Sequence, residues 1–278
     1  MLCLTALLLC ACSAKPEKAP KREPAVIPAV LEAHREAIER TLRPVVVIEF
    51  EKQDKIASFR SRVGGEAQVP KSQSWPSGKD GKPLRFLCQI NFEELPPESG
   101  LPARGLLQFF VGSDDVYGCN FEKMDDTSGF AVRYYRELPE GPYWEQPPAL
   151  EEYDLHPYTG PPRVMHFRQG VSAIPPSHFQ FAQTELAPIK KDDRKRDAYL
   201  DQFGSNHHLL GYADFTQTDP RAYQELPDDL INFLQLGVEY ENGEGLMWGD
   251  VGVGHFFISR RDLEKQDFSH FYYHWDCY

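Results

Sequence analysis

From Val45 onwards the apolar residues of this chain come in short runs of about six to eleven, rich in Phe, Tyr and β-branched side chains and bounded by Gly, Pro, Asn or Asp. Runs of that kind suit strands better than core helices. They predict strands over 45–51, 84–92, 105–112, 130–136, 163–168, 207–212, 230–240, 251–259 and 270–275. Between residues 138 and 190 stand 10 prolines, including Pro147-Pro148, Pro161-Pro162 and Pro175-Pro176. That stretch is expected to be mostly loop, packed down through Tyr143, Trp144, Tyr153 and Tyr158. Gly64-Gly65 and Trp75-Pro76 read as a loop crossing one end of the sheet, with the Trp75 ring in the core.

Helical spacing is confined to three places. Val30, Leu31, His34, Ile38 and Leu42 predict a helix over about 28–43, stopped by Pro44. Residues 190–203 and 260–266 read as short peripheral helices. In the first of these, Asp192, Asp193 and Asp197 break up the Lys and Arg cluster, so it is a solvated face. The expected fold is mainly β (α+β), one compact domain, and the 278 residues are ample for a real core. With 30 basic against 42 acidic side chains the net charge is −12, which argues against a nucleic-acid partner.

The N-terminus reads as an address. Residues 1–12 are apolar and uncharged and end in Leu9-Cys10-Ala11-Cys12, which resembles a bacterial lipoprotein signal. Leu9 lies three before Cys12 and Ala11 immediately before it, so the resemblance implies cleavage there and acylation of the Cys12 thiol. The apolar segment is shorter than the roughly 20 residues a membrane-spanning helix needs. The Pro- and Lys-rich residues 13–27 are expected to form a disordered tether, with the globular domain over 28–278. The implied location is the cell envelope: a lipid anchor in a bacterial membrane, the outer membrane if the cell has one, given Ser13. A buried N-terminal helix turn is the alternative reading of residues 1–12. Past Cys12 only Cys88, Cys119 and Cys277 remain, enough for one disulfide at most.

An internal comparison is informative. Shifting the chain by 147 places Phe86-Leu87 on Phe233-Leu234, Glu94 on Glu241, Gly105 on Gly252, Phe109-Phe110 on Phe256-Phe257 and Asp115 on Asp262. That is 7 identities over residues 86–115, where composition alone gives roughly 2. After a nine-residue deletion Phe130, Tyr134 and Tyr135 fall on Phe268, Tyr272 and Tyr273. The reading is two related β-units, 86–136 and 233–274; coincidence among aromatic strands is the alternative.

Several blocks resemble the YwqG-like family of proteins of unknown function. They are Gly64-Gly65, Trp75-Pro76, residues 86–92 (Phe86 to Phe92), Leu106-Leu107-Gln108-Phe109-Phe110, Leu209-Leu210-Gly211-Tyr212, residues 215–221 (Phe215 to Arg221), residues 248–252 (Trp248 to Gly252), and the final Trp275-Asp276-Cys277-Tyr278. The resemblance runs from about Ser61 to the C-terminus. It implies a compact, mainly β fold, usually in an intracellular protein, so a lipid-anchored version departs from the family. The family has no agreed reaction, and no catalytic residue carries over.

No HExxH, GxSxG, P-loop or GxGxxG sequence is present. The His pairs 207/208 and 270/274 are not spaced as ligand sets and read as structural. Asp114, Asp115 and Asn120 offer hard oxygens that could hold Ca²⁺, or are ordinary turn residues. The most site-like grouping joins Tyr212, Gln217, Asp219 and Arg221 to Trp248 and Asp250: aromatic walls, orienting polar groups and flanking glycines. Its bland counterpart is a turn plugged by its own Trp248 and a structural Asp219–Arg221 ion pair. Three functions remain open: a tethered non-enzymatic module binding a small molecule or a protein, without a cofactor; an immunity- or antitoxin-like protein masking a basic partner; and a hydrolase around Asp250, Gln217 and Arg221.

Overall fold

The computed structural model describes residues 26–144, 155–204 and 206–278. Cys12, the signal, most of the tether and Tyr153 lie outside the described residues. Ile27, assigned to the tether, is buried at 8% exposure against Leu31 and Ile38, so the packed body already includes it. A 3-10 turn (Ala29–His34) runs into α1 (Arg35–Thr41), and β1 (Arg43–Lys52) follows. Next come β2 (Arg62–Val63), β3 (Arg85–Asn91), β4 (Leu106–Val111), β5 (Phe130–Tyr135) and β6 (Tyr158–Thr159). Then come β7 (Arg163–Ser172), α2 (Asp193–Phe203), β8 (His207–Leu209), β9 (Leu230–Leu236) and β10 (Glu239–Glu241). The chain closes with β11 (Glu244–Leu246), β12 (Val253–Ser259), α3 (Arg260–Glu264) and β13 (Tyr272–Asp276).

Ten strands form one antiparallel sheet, ordered β13-β12-β9-β8-β1-β7-β2-β3-β4-β5, and β10-β11-β6 form a small second one. The fold is therefore mainly β, a single domain with few helices. Two predicted strands were too long. The 207–212 run stops at Leu209 because Leu210 (φ +63°) and Gly211 (φ +71°) reverse the chain, and the 230–240 run breaks after Leu236.

The sheet curls until its two ends face one another, and aromatic rings fill the gap. Phe109 on β4 meets Phe256 on β12 at 4.8 Å, and Phe130 on β5 meets Tyr273 on β13 at 5.3 Å. Phe233, Phe268 and Phe271 complete the cluster, all fully or nearly buried. The outer face is also covered: Trp75 and Phe86 pack on Phe110, while Phe215 and Met124 pack with Phe257. Covering on both faces explains why β4 and β12 read as continuous apolar runs without alternation. A fourth cluster joins α1 and α2 through Leu31, Ile38, Tyr199 and Phe203.

The ladder divides into two halves with matching registers. Arg62 pairs with Gln89, Gln89 with Gln108 and Gln108 with Arg133. Correspondingly, His208 pairs with Gln235, Gln235 with His255 and His255 with His274. Each half has one bulged residue at the same place, Leu87 and Phe233. The Leu87 carbonyl accepts from the Gly64 N–H (2.8 Å), and that of Phe233 from the Leu210 N–H (2.9 Å). Matching residues are offset by 146 from β2 to β8 and from β3 to β9, 147 from β4 to β12 and 141 from β5 to β13. These offsets set Phe130 on Phe271, not Phe268, so the deletion is of six residues and not nine. The same register pattern thus runs through β2, β3, β4 and β5 and through β8, β9, β12 and β13.

Phe109→Ala opens a hole where the two ends of the sheet meet. The expected cost is about 3–5 kcal/mol in unfolding free energy from denaturant titration.

Candidate functional site

The matched registers place a row of polar side chains across the outer face of the C-terminal half: His208, Gln235, His255 and His274, each 4% exposed or less. The segment 213–223 lies over this row and ties itself down residue by residue. Asp214 N–H donates to Gln235 Oε1 (2.9 Å), Ser177 Oγ donates to Asp214 Oδ1 (2.6 Å), and Phe215 N–H donates to Ser177 Oγ (3.0 Å). The Phe215 ring lies 4.4 Å from His255 and stacks at 6.3 Å on Phe257. Gln217 N–H donates to Asp276 Oδ2 (2.6 Å), and its amide reaches the Cys277 carbonyl.

Asp219 and Arg221 form a structural pair. The carboxylate, 1% exposed, accepts from Arg221 Nε (2.9 Å), Nη2 (2.7 Å) and N–H (3.0 Å), and from Phe179 N–H (3.2 Å). The guanidinium lies 5.1 Å from both the Phe179 and Phe257 rings. All of Asp219's capacity is used internally, and the pair pins this loop to the 175–180 turn.

Beyond the pair, the cover leaves one end of the row open. Phe121, Gln217, Tyr223, His274, Trp275 and Asp276 surround a pocket of about 330 Å³. His274 Nδ1 is buried there without a hydrogen-bond partner. Burial holds the His274 imidazole down at about 4, with Asp219 partly opposing, and pushes the Asp276 carboxyl up against hydrogen bonds from Gln217 and Thr216. A neutral imidazole beside a carboxyl, rimmed by aromatic rings, can hold a small planar group bearing N–H or O–H donors.

Residues 61–277, well over half of the chain, match the family described as a domain of unknown function (DUF1963). The chain belongs to the DUF1963 family. No curated protein matches it. The YwqG-like blocks are consistent with this membership.

Within the DUF1963 domain the residues singled out from sequence are dispersed. Gln217 lines the pocket, with Asp219 and Arg221 behind it. Trp248 is no pocket wall: it is fully buried between Tyr117 (5.8 Å) and Trp275 (6.3 Å) because Gly254 leaves its ring room. Asp250 is exposed in the turn that Trp248 closes, where Gly252 N–H donates to the Trp248 carbonyl (2.9 Å). Tyr212 belongs to the helical cluster, its hydroxyl donating to the Thr41 carbonyl (2.9 Å) under the Arg43 guanidinium. Asp114 Oδ1 accepts from Gly118 N–H (2.7 Å), Asn120 Nδ2 donates to Asp126 Oδ2 (3.0 Å), and Asp115 is exposed. Among the described residues no group of three or more His, Cys, Asp or Glu is placed to hold a metal. Cys88, Cys119 and Cys277 are free thiols, and burial pushes Cys119 up to about 12.

His274 and Asp276 were not singled out as ligand-binding residues. The signal was present in the alternation Tyr273/Trp275 inward and His274/Asp276 outward, but only pairing with β12 and the cover from 213–223 turn them into a site.

The buried histidines set the pH dependence. Chiefly through burial, His274 and His156 are held at about 4 and His178 at about 3, against 6.5. The unfolded chain takes those protons first, so stability is complete above about pH 6.5 and is lost as pH falls towards 4. Asp214 and Asp276, raised by burial, work in the opposite direction. Denaturant titrations are expected to lose up to about 1.4 kcal/mol per pH unit for each such histidine in that window, and His274→Gln to shallow the slope. Separately, Arg221→Ala strands a buried carboxylate and is expected to cost about 3–5 kcal/mol, most of it recovered in Asp219→Asn/Arg221→Met.

Proposed function

We propose that this DUF1963 domain is a non-enzymatic binding module whose ligand occupies the pocket between segment 213–223 and β13. The supporting observation is the buried, unpartnered His274 Nδ1 beside the Asp276 carboxyl at one 330 Å³ cavity. Leaving such an atom unpaired costs about 1–3 kcal/mol, a cost that a ligand's donor would offset. The ligand class is a small planar molecule with hydrogen-bond donors, stacked on aromatic rings. The N-terminal Leu9-Cys10-Ala11-Cys12 pattern supports display of the domain on a lipid anchor at the envelope, facing small molecules or proteins there. No helix among the described residues is long and apolar enough to cross a membrane.

The test compares native and denaturing mass spectra of the gently purified Cys12→Ala chain. A reproducible extra mass, lost on unfolding and missing from a folded His274→Phe variant, is expected. A bare native mass overturns a retained ligand, and an adduct that survives His274→Phe overturns its assignment to this pocket.

A further inference from the structure

The two halves of the sheet differ sharply at one matched place. Following β2, Gly64 (φ +71°) and Gly65 (φ +75°) turn the chain; following β8, Leu210 (φ +63°) and Gly211 (φ +71°) do the same. In the first half this corner is filled. A Cβ on Gly64 would meet the Tyr158 ring at 2.2 Å, and Tyr158 pairs with the fully buried Leu246, two residues before the fully buried Trp248. The residue matching Trp248 is Leu101, since each lies five residues before its next strand, β12 or β4. With Leu for Trp, the second half's corner stays open as a cleft of about 590 Å³.

The lining of that cleft is two-natured. Pro44, Leu101, Pro102, Leu210, Ile231 and Leu263 give it an apolar wall. Arg43 and Arg260 also line it, with Glu264 the single acidic residue, so it is locally positive on a chain of net charge −12. Among the described residues neither arginine sits in a salt bridge; Arg43 lies over the Tyr212 ring at 4.2 Å, which fixes its guanidinium. Asn232, 1% exposed and also lining the cleft, has a buried Oδ1 without a hydrogen-bond partner.

We propose that this cleft is a second binding site, separate from the pocket on β13, for a small amphipathic anion: a carboxylate or sulfonate on an apolar body. The apolar body lies on the Leu101–Leu263 wall, Arg43 and Arg260 hold the anionic group, and a donor on the ligand meets Asn232 Oδ1. Two guanidiniums suit an oxyanion because their planar N–H forks match its geometry.

The probes are 8-anilinonaphthalene-1-sulfonate and its uncharged analogue N-phenyl-1-naphthylamine, titrated by fluorescence into the full chain carrying Cys12→Ala. The sulfonate is expected to bind saturably at one site. Arg260→Gln and Arg43→Gln/Arg260→Gln are expected to weaken it progressively, tenfold or more in the double variant, while shifting the uncharged probe less than twofold. Leu101→Trp, which copies the filled corner, is expected to abolish both signals with an unchanged circular dichroism spectrum. His274→Phe is expected to leave both intact, so this site and the β13 pocket fail independently. Absence of saturable sulfonate binding, binding indifferent to both arginine variants, or binding that persists in folded Leu101→Trp overturns the proposal.

Discussion

The contact between Phe109 and Phe256, 4.8 Å between ring centroids, is the constraint on which the rest of the structure depends. A strongly twisted sheet of ten strands cannot stay open and flat, and here it curls until β4 and β12 meet across their aromatic faces. Each ring pair contributes about 0.5–1.5 kcal/mol beyond the area it buries. The cluster around it includes Phe130, Phe233, Phe268, Phe271 and Tyr273. Because the two rings occupy matched positions in the two halves, the closure joins like to like.

Closure commits the outer face to carry everything else. In the N-terminal half the matched row is Arg62, Gln89, Gln108 and Arg133; in the C-terminal half it is His208, Gln235, His255 and His274. Gln89 satisfies itself on the carbonyls of Ser58 and Arg60 (2.9 and 2.8 Å). The histidine row instead needs the cover of 213–223, and that cover stops short at β13. A buried polar row is costly wherever its cover is incomplete, so the place where the cover ends is where a ligand has most to offer. The corner beside Leu210 repeats the logic with shape: the matching corner at Gly64 is filled by Tyr158 while this one stands open.

Much of the architecture was legible in the run lengths. The strands around Ile48, Phe109, Phe233 and Phe256 and the helix through Leu31 and Ile38 follow from local pattern, because burial on a periodic element writes itself into the chain. Short β2 and β6 were illegible, since two residues carry no period and are strands only by their partners. At the site, the sequence joined Gln217, Asp219 and Arg221 to Trp248 and Asp250, and the bland reading of Asp219–Arg221 as an ion pair describes their geometry. Trp248 and Tyr212 looked like walls because an aromatic beside glycine reads alike whether the glycine admits a ligand or, as at Gly254, the ring itself.

By itself the sequence determined the mainly β class, the aromatic character of the core, the family and most element boundaries, all properties of neighbours a few residues apart. Register was decided only by the tertiary structure: that Leu87 and Phe233 are the bulged residues, that the units match at Phe130 and Phe271, and that His274 and Asp276 share a partly covered face. Those facts depend on which strand lies beside which. Shifting a strand by one residue turns every side chain to the opposite face, and that choice is made by the closing of the whole sheet.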